Sequence, residues 1–440
     1  MDTRTMTYAE ELAQLIRKPT ISTYYEKDKS KYKDFQNLLK EIFPNLYAVV
    51  KEETFDQSLL LIWEGKNKNI EPIMFMNHHD VVEASGQWEH EPFSGDIADG
   101  KIWGRGTLDT KGGLYCMLKA ADELAKEGFV PERDIYFESS CNEEVDATGA
   151  LTIAQTLSQR GIHFYMILDE GGFIMYDPIG GADGTFAMVG MGEKATIEMK
   201  FIAKGDGGHA STPTENTPLV RLGKFMAECD KGDIFPAEIS PVIEIMFKRL
   251  APYMKGVTQK ILQNPKAFGP IIKKVMPSMS ATANAFLRTT IAFTMAKGSD
   301  GTNVIPTEAY VVGNMRASHH QGKEKSIEAV TKLAKKYDLE VQFIDPGFES
   351  ALSDPKAKAF ENIENAVKNI FDSVEVVPYT MTGASDCRFF TELCENCYRF
   401  VPFHINDEQL ASVHGINENL DLSCLVPAVD FYKYLMKNCK

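Results

Sequence analysis

The sequence contains no apolar run as long as the ~18 residues a membrane-spanning helix needs, so no segment is read as a membrane span. Its first residues, MDTRTMTYAEELAQLIRK, are charged and amphipathic and lack the apolar core of a secretory signal. Cysteine is scattered, not framed: Cys116, Cys141, Cys229, Cys387, Cys394, Cys397, Cys424 and Cys439 lie far apart in 440 residues. That spacing excludes a disulfide-stapled secreted scaffold and suits free thiols in a reducing cytoplasm. Cys394 and Cys397 form one CxxC, read as two residues on a helix and not as a redox or metal pair. Positive charge is also short, with 47 Lys and Arg against 62 Asp and Glu, a net charge of −15. That balance argues against nucleic acid or an anionic membrane as the main partner, because both require a basic surface. An anionic small substrate is not excluded, since one buried Arg can outweigh the global charge locally. No internal repeat or low-complexity tract is present.

A chain of this length outgrows one core, and two domains are expected. PIMFMNHHD (72–80), RDIYFESSCNEE (133–144) and HFYMILDEGG (163–172) read as buried strands that end in acids or His. A helix is expected from about Thr110 to Lys126, stopped by Gly128, and another over 147–159. Strands alternating with helices imply an α/β fold with a mixed, largely parallel sheet flanked by helices, whose ligands collect at the strands' carboxyl ends. The pattern changes near Gly192. Strands over 195–205 and 308–318 and helices near 216–229 and 323–337 form a second, α+β domain inserted into the first. The expected division is 1–191, an insert over 192–347, and a return over 348–440 with helices at 355–371 and 423–438. Residues 230–285 read as irregular and receive no function.

The chemistry-bearing residues fall in order along the chain. His78 and Asp80, two apart on a strand, should face one pocket, with His79 turned away as a structural residue. Asp109, in the glycine-flanked turn GRGTLDTKGG, is either a helix N-cap or the carboxylate that a pair of metals about 3.5–4 Å apart must share. Adjacent carboxylates at Glu143 and Glu144 point in different directions. One can bind metal while the other stays free as general base and then general acid, or both form a solvated turn. Asp169 reads as a ligand or a loop cap, and Glu170 as surface charge. His414 in SVHGINE comes far downstream. Imidazole and carboxylate without paired thiolates suit a catalytic divalent zinc or cobalt site. His209, Asn303, Arg316 and Gly383 each pass individually as ordinary surface or turn residues.

The ordered set, with GHASTP, NVIP and GASD, resembles the zinc aminoacylases and carboxypeptidases. That family includes acetylornithine deacetylase, succinyl-diaminopimelate desuccinylase and carboxypeptidase S, and the resemblance runs from about residue 70 to 420. It implies two Zn²⁺ per chain, with Co²⁺ as a substitute: His78, Asp109 and Asp169 around one, Glu144, Asp109 and His414 around the other. It further implies Glu143 as general base, Asp80 supporting His78, and a cis peptide after Asp109. His209 would reach a neighbouring subunit's active site in a homodimer, from an insert that serves as lid and dimerisation domain. Asn303, Arg316 and Gly383 would hold substrate. The implied activity is cytoplasmic hydrolysis of an amide or peptide bond in a small substrate with a free carboxylate, a peptide or an N-acyl amino acid. A dipeptidase or aminopeptidase of the same family is the alternative, and a metal-binding dimer without catalysis a further one. Asn77 departs from the glycine that many members carry there. Asp169, where some members have Glu, leans toward carboxypeptidase or aminoacylase activity.

Overall fold

The computed structural model describes residues 2–24, 28–232, 234–278 and 281–439. The chain forms two compact units. One comprises Met1–Gly192, Ala351–Tyr379 and Ser385–Lys440, and the other Glu193–Ser350 with Thr380–Ala384.

The first unit is built on a nine-stranded mixed sheet. Its order is Val50–Phe55, Ser58–Trp63, Ile135–Ser139, Ile73–Met76, Met166–Asp169, Cys397–Arg399, Thr185–Glu193 and Val374–Met381, with Ile174–Tyr176 also paired to Thr185–Glu193. The four central strands, from Ile135–Ser139 across to Cys397–Arg399, pair parallel. Towards the edges, Val50–Phe55 with Ser58–Trp63, Ser58–Trp63 with Ile135–Ser139, and Thr185–Glu193 with both Cys397–Arg399 and Ile174–Tyr176 pair antiparallel. The central strands are apolar at nearly every position, as sheets covered on both faces require. Running one way, they bring their carboxyl ends to one edge, and the acids and histidines gather there.

The three central strands stop earlier than their apolar patterns suggest: at Met76, Ser139 and Asp169. His78 and Asp80 lie past the strand, so their shared orientation comes from the turn and not from strand alternation. Glu143 and Glu144 lie in a turn beyond Ser139. The physical reason is common to all three. Past the last paired residue the chain is free to turn, which lets His78, Asp80, Glu143 and Glu144 converge.

The helix Lys111–Lys126 buries Leu114, Met117, Leu118, Ala121 and Leu124. Gly113 opens it because any Cβ there would strike the Asn77 side chain. Gly128, at φ 75°, closes it by taking the left-handed conformation that L side chains avoid. The helix Leu425–Asn438 packs beside it. Cys394 and Cys397 are not on a helix. Cys394 lies just past a turn, in irregular structure, and Cys397 opens the strand Cys397–Arg399, whose β-branched and aromatic neighbourhood favours extension. All eight cysteines are free and buried.

The second unit has a four-stranded antiparallel sheet, ordered Thr290–Lys297, Glu308–Ala317, Ala195–Lys204 and Glu340–Asp345. The helices Pro218–Asp230 and Lys323–Lys336 supply Leu222, Phe225, Val330 and Leu333 to a core shared with Phe201 and Met315. The stretch read as irregular folds into four short helices: Pro241–Leu250, Gly256–Gln263, Gly269–Val275 and Ala281–Leu287. Pro241–Leu250 does carry a helical period, with Val242, Ile243, Met246, Phe247 and Leu250 buried behind a Ser240 N-cap, whereas the other three are only seven or eight residues long. Among the described residues no helix is long and apolar enough to cross a membrane.

Candidate metal centre

Asp109 is the hub. Its Oδ1 lies 2.9 Å from His78 Nε2 and its Oδ2 lies 2.9 Å from His414 Nε2. The two histidines reach one carboxylate from opposite sides, although they are 336 positions apart in the chain. Glu144 Oε2 is 3.1 Å from the same His414 nitrogen. Ligand atoms of His78, Asp109 and Glu144 all fall within 4.8 Å of one another. Glu144 Oε1 is buried with no hydrogen-bond partner, a vacancy that suits a cation. These donors fit a hard or borderline divalent metal.

The charge pattern follows from this crowding. Burial raises the Asp109 carboxyl, but hydrogen bonds from His414 and His78 outweigh it and hold Asp109 well below the usual carboxylate range. Those bonds from Asp109 and Glu144 push His414 up to about 10. Burial, then the Asp109 charge, raises Glu144. Burial, then the nearby Asp386 charge, pushes Glu143 well above the ordinary carboxylate range. Asp109 does not cap the helix: the N-cap position is Thr110, whose hydroxyl donates to the His78 carbonyl at 3.0 Å. The Asp109–Thr110 peptide is cis.

Asp80 is fully buried and holds three segments together. Its carboxylate accepts the backbone N–H groups of Glu143 (3.2 Å) and Glu144 (3.1 Å) and the Ser22 hydroxyl (2.7 Å). His78 Nδ1 lies 3.1 Å from the Asp80 carbonyl and 3.3 Å from its carboxylate. His79 turns the other way, bonding Ser139 Oγ at 2.9 Å and stacking on Phe35. Glu143 Oε1 is 3.5 Å from the Arg388 guanidinium.

Asp169 ends its strand with both oxygens engaged, by the N–H groups of Glu170 and Cys387 at 2.8 Å each. It lies outside the three-residue cluster, which instead joins His78 and Glu144, residues that the family resemblance allots to different metals. Glu170 is partly buried rather than surface charge, and burial with the Asp109 and Asp169 charges pushes its carboxyl well up.

Four of the expected residues belong to the second unit. His209 pairs with Val304 across a two-stranded ribbon, and the Ala210 N–H donates to the Asn303 carbonyl, so His209 and Asn303 are neighbours. His209 Nδ1 bonds Ser211 Oγ at 2.7 Å and is exposed. Arg316 lies opposite Thr196 in the sheet, donating to the Thr196 hydroxyl and to Asn314 Oδ1. Gly383 is exposed, with open space around it.

Sequence reasoning missed Arg105, Glu418 and Glu138. Glu418 is fully buried and accepts from Arg105 Nη1 and from the N–H groups of Gly106, Leu108 and Asp109. Arg105 Nη2 donates to the Gly415 carbonyl at 2.7 Å. The pair thereby clamps the Asp109 loop to the His414 loop. The signal was present: one opposite charge lies four residues from each ligand, in GRGTLD and HGINE. Glu138 is buried among apolar residues without a hydrogen-bond partner for either oxygen, and burial with the Asp386 charge pushes it well up.

The profile of Peptidase family M20/M25/M40 matches residues 74–438. The N-fatty-acyl-amino acid synthase/hydrolase PM20D1 of Homo sapiens is 31% identical over 98% of this chain and 87% of that protein. A probable carboxypeptidase S-like 2 of Dictyostelium discoideum is 30% identical over 97% of this chain and 85% of its own length. Among solved structures, the M20 metallo-carboxypeptidase Sso-CP2 of Sulfolobus solfataricus superposes with a TM-score of 0.73, covering 99% of each chain at 16% identity. The chain is a member of peptidase family M20/M25/M40 and a hydrolytic enzyme.

Proposed function

We propose that the chain is a dizinc amidohydrolase acting on small substrates with a free carboxylate, either N-acyl amino acids or short peptides. The observation that carries this reading is Asp109, whose two oxygens face two histidines while Glu144 stands beside them. His78, Asp109 and Asp169 would hold one cation, and Asp109, Glu144 and His414 the other. Bound there, divalent cations supply Lewis acidity toward a carbonyl oxygen and lower the pKa of water.

The chain's own groups do the rest. Glu143, free of the ligand set and fixed through its backbone by Asp80, takes the proton of the attacking water and returns it to the leaving amine. Its environment favours that exchange, because burial makes it a stronger base than an exposed carboxylate. His209 would donate to the developing oxyanion, an interaction typically worth about 2.7–4 kcal/mol. Arg316 would grip the substrate carboxylate with the planar fork that Lys lacks, with Asn303 and Gly383 positioning the same end. A homodimer, in which His209 serves the neighbouring subunit, and a cytoplasmic setting that keeps the eight thiols reduced complete the reading.

The test is a substrate panel with purified, Zn²⁺-loaded protein. N-acyl amino acids and dipeptides should be cleaved, and their C-terminal amides should not. Glu143→Gln should lower kcat by at least ~10³-fold, with about two metals retained per chain by elemental analysis. Equal turnover of the amides would move the activity to the amino-end readers. Unaltered turnover by Glu143→Gln would remove Glu143 from the chemistry.

A further inference from the structure

We propose that the helical segment 241–275 of the second unit is a docking surface for an anionic lipid–water interface. This is a separate property from hydrolysis, and it does not depend on the proposed reaction.

The first support is local charge. Residues 234–287 contain seven Lys and Arg against two Glu, in a chain of net charge −15. Beyond a Debye length of about 8–10 Å the distant acids are screened, so a surface meeting this face experiences the local excess. Both glutamates are already taken. Glu238 pairs with Lys273 at 3.1 Å, and Glu244 with Lys248 at 2.6 Å and Lys266 at 3.3 Å. Lys260 and Lys274 have no carboxylate partner among the described residues. The acidic balance of the whole chain conceals this patch.

The second support is apolar exposure in the same helices. Val257 is 73% exposed, Ile271 51% and Val275 46%. Ile271 and Val275 are one turn apart on Gly269–Val275, so they share a face, and Lys274 borders it. Val257 is one turn from Lys260 on Gly256–Gln263. Other side chains of these helices, Val242, Met246, Phe247, Leu262 and Ile272, are buried, so the exposed residues are a surplus beyond what packing uses. Apolar side chains flanked by long, unpaired lysines fit the boundary between headgroups and acyl chains, where the aliphatic stems enter and the ammonium groups stay at the phosphates. A second copy of this face would bring like charges together, which is why lipid is the better occupant.

The experiment is co-sedimentation of the full, metal-loaded chain with vesicles of phosphatidylcholine alone or of phosphatidylcholine with phosphatidylglycerol. Binding is expected to the anionic vesicles only and should fall as salt rises. Each of Lys260→Gln and Lys274→Gln should weaken it about fivefold, the effect of one charge at such a surface. Val257→Ser with Ile271→Ser should weaken it further. All four positions are outside the proposed catalytic groups, so turnover of a soluble substrate should stay unchanged and report intact folding. Equal binding to neutral vesicles, no binding to either, or indifference to the lysine variants would overturn the proposal. So would self-association that the same variants abolish, which would assign the face to a second copy.

Discussion

His79 and His78 are adjacent in sequence and opposite in physics. His78 is buried against two carboxylates, and His79 against Phe35 and a serine hydroxyl. Burial pushes His79 down to about 3, whereas an unfolded histidine titrates near 6.5. Below that ordinary value the unfolded chain binds a proton that the folded chain refuses. The His79 contribution is therefore complete above about pH 6.5 and is lost as pH falls toward 3. One such group makes stability decline by up to ~1.4 kcal/mol per pH unit across that window. Urea unfolding of His79→Phe, which keeps a ring on Phe35, should show a pH slope shallower by about one proton than the parent. Parallel slopes for the two proteins would place the acid sensitivity elsewhere.

At the scale of elements, the ligands are carried by loops, and loops need anchoring. The Arg105–Glu418 pair fixes the Asp109 loop against the His414 loop through one side-chain bond and four backbone bonds. Removing one partner of such a buried pair typically costs about 3–5 kcal/mol, because the other charge stays buried and uncompensated. Glu418→Gln should lose stability on that order in chemical denaturation and bind metal more weakly, even though Glu418 is not itself a metal ligand and reaches Asp109 only through its backbone N–H. A variant with parental stability would show the clamp to be ornamental. The example also explains what the sequence conveys. Residues that act through side-chain chemistry, such as Asp109 and Glu144, announce themselves by type and by neighbours. The long helices do so by period: Lys111–Lys126 and Leu425–Asn438 start one and two residues later than expected and end where expected. Clamps such as Glu418 leave only a faint signal, a charge four residues from a ligand, because an acidic residue in a loop is ordinarily solvated and only tertiary structure buries it. Strand ends were overrun at His78 and Glu143 because apolar patterning says where a strand is covered, not where its ladder stops. Of the four helices within 230–287, Pro241–Leu250 was legible from Ser240, Pro241 and the spacing of Val242, Ile243, Met246, Phe247 and Leu250, while the other three, at seven or eight residues, are too short to show a sustained period.

On the scale of the whole molecule, the centre joins two distant stretches of chain. His78, Asp109 and Glu144 come from the first stretch and His414 from the returning one, so a cation bound by this set cross-links them. Binding only to the folded chain, metal at about a hundred times its dissociation constant adds ~2.7 kcal/mol of stability. The metal-free clasp opposes loading in a pH-dependent way. Its carboxylates hold His414 protonated, with a titration raised to about 10. That clasp contributes stability below the ordinary histidine value near 6.5, keeps part of it at neutral pH, and loses it as pH rises through about 10. A metal must displace the His414 proton, so affinity should rise by up to about tenfold per pH unit in this range. Calorimetric scans of chelator-stripped protein should therefore show a Zn²⁺-induced rise in Tm that is larger at about pH 8 than at about pH 6, at one fixed metal concentration. In His414→Ala the rise should shrink and its pH dependence weaken, since the second ligand stretch and one of the two competing histidine protons are gone. The other is on His78, which against its burial is held up in the same way by Asp109 and Asp80. A Zn²⁺ effect of equal size at both pH values in the parent would mean that the proton on His414 does not compete with the metal, and the centre would have to be assembled without that residue.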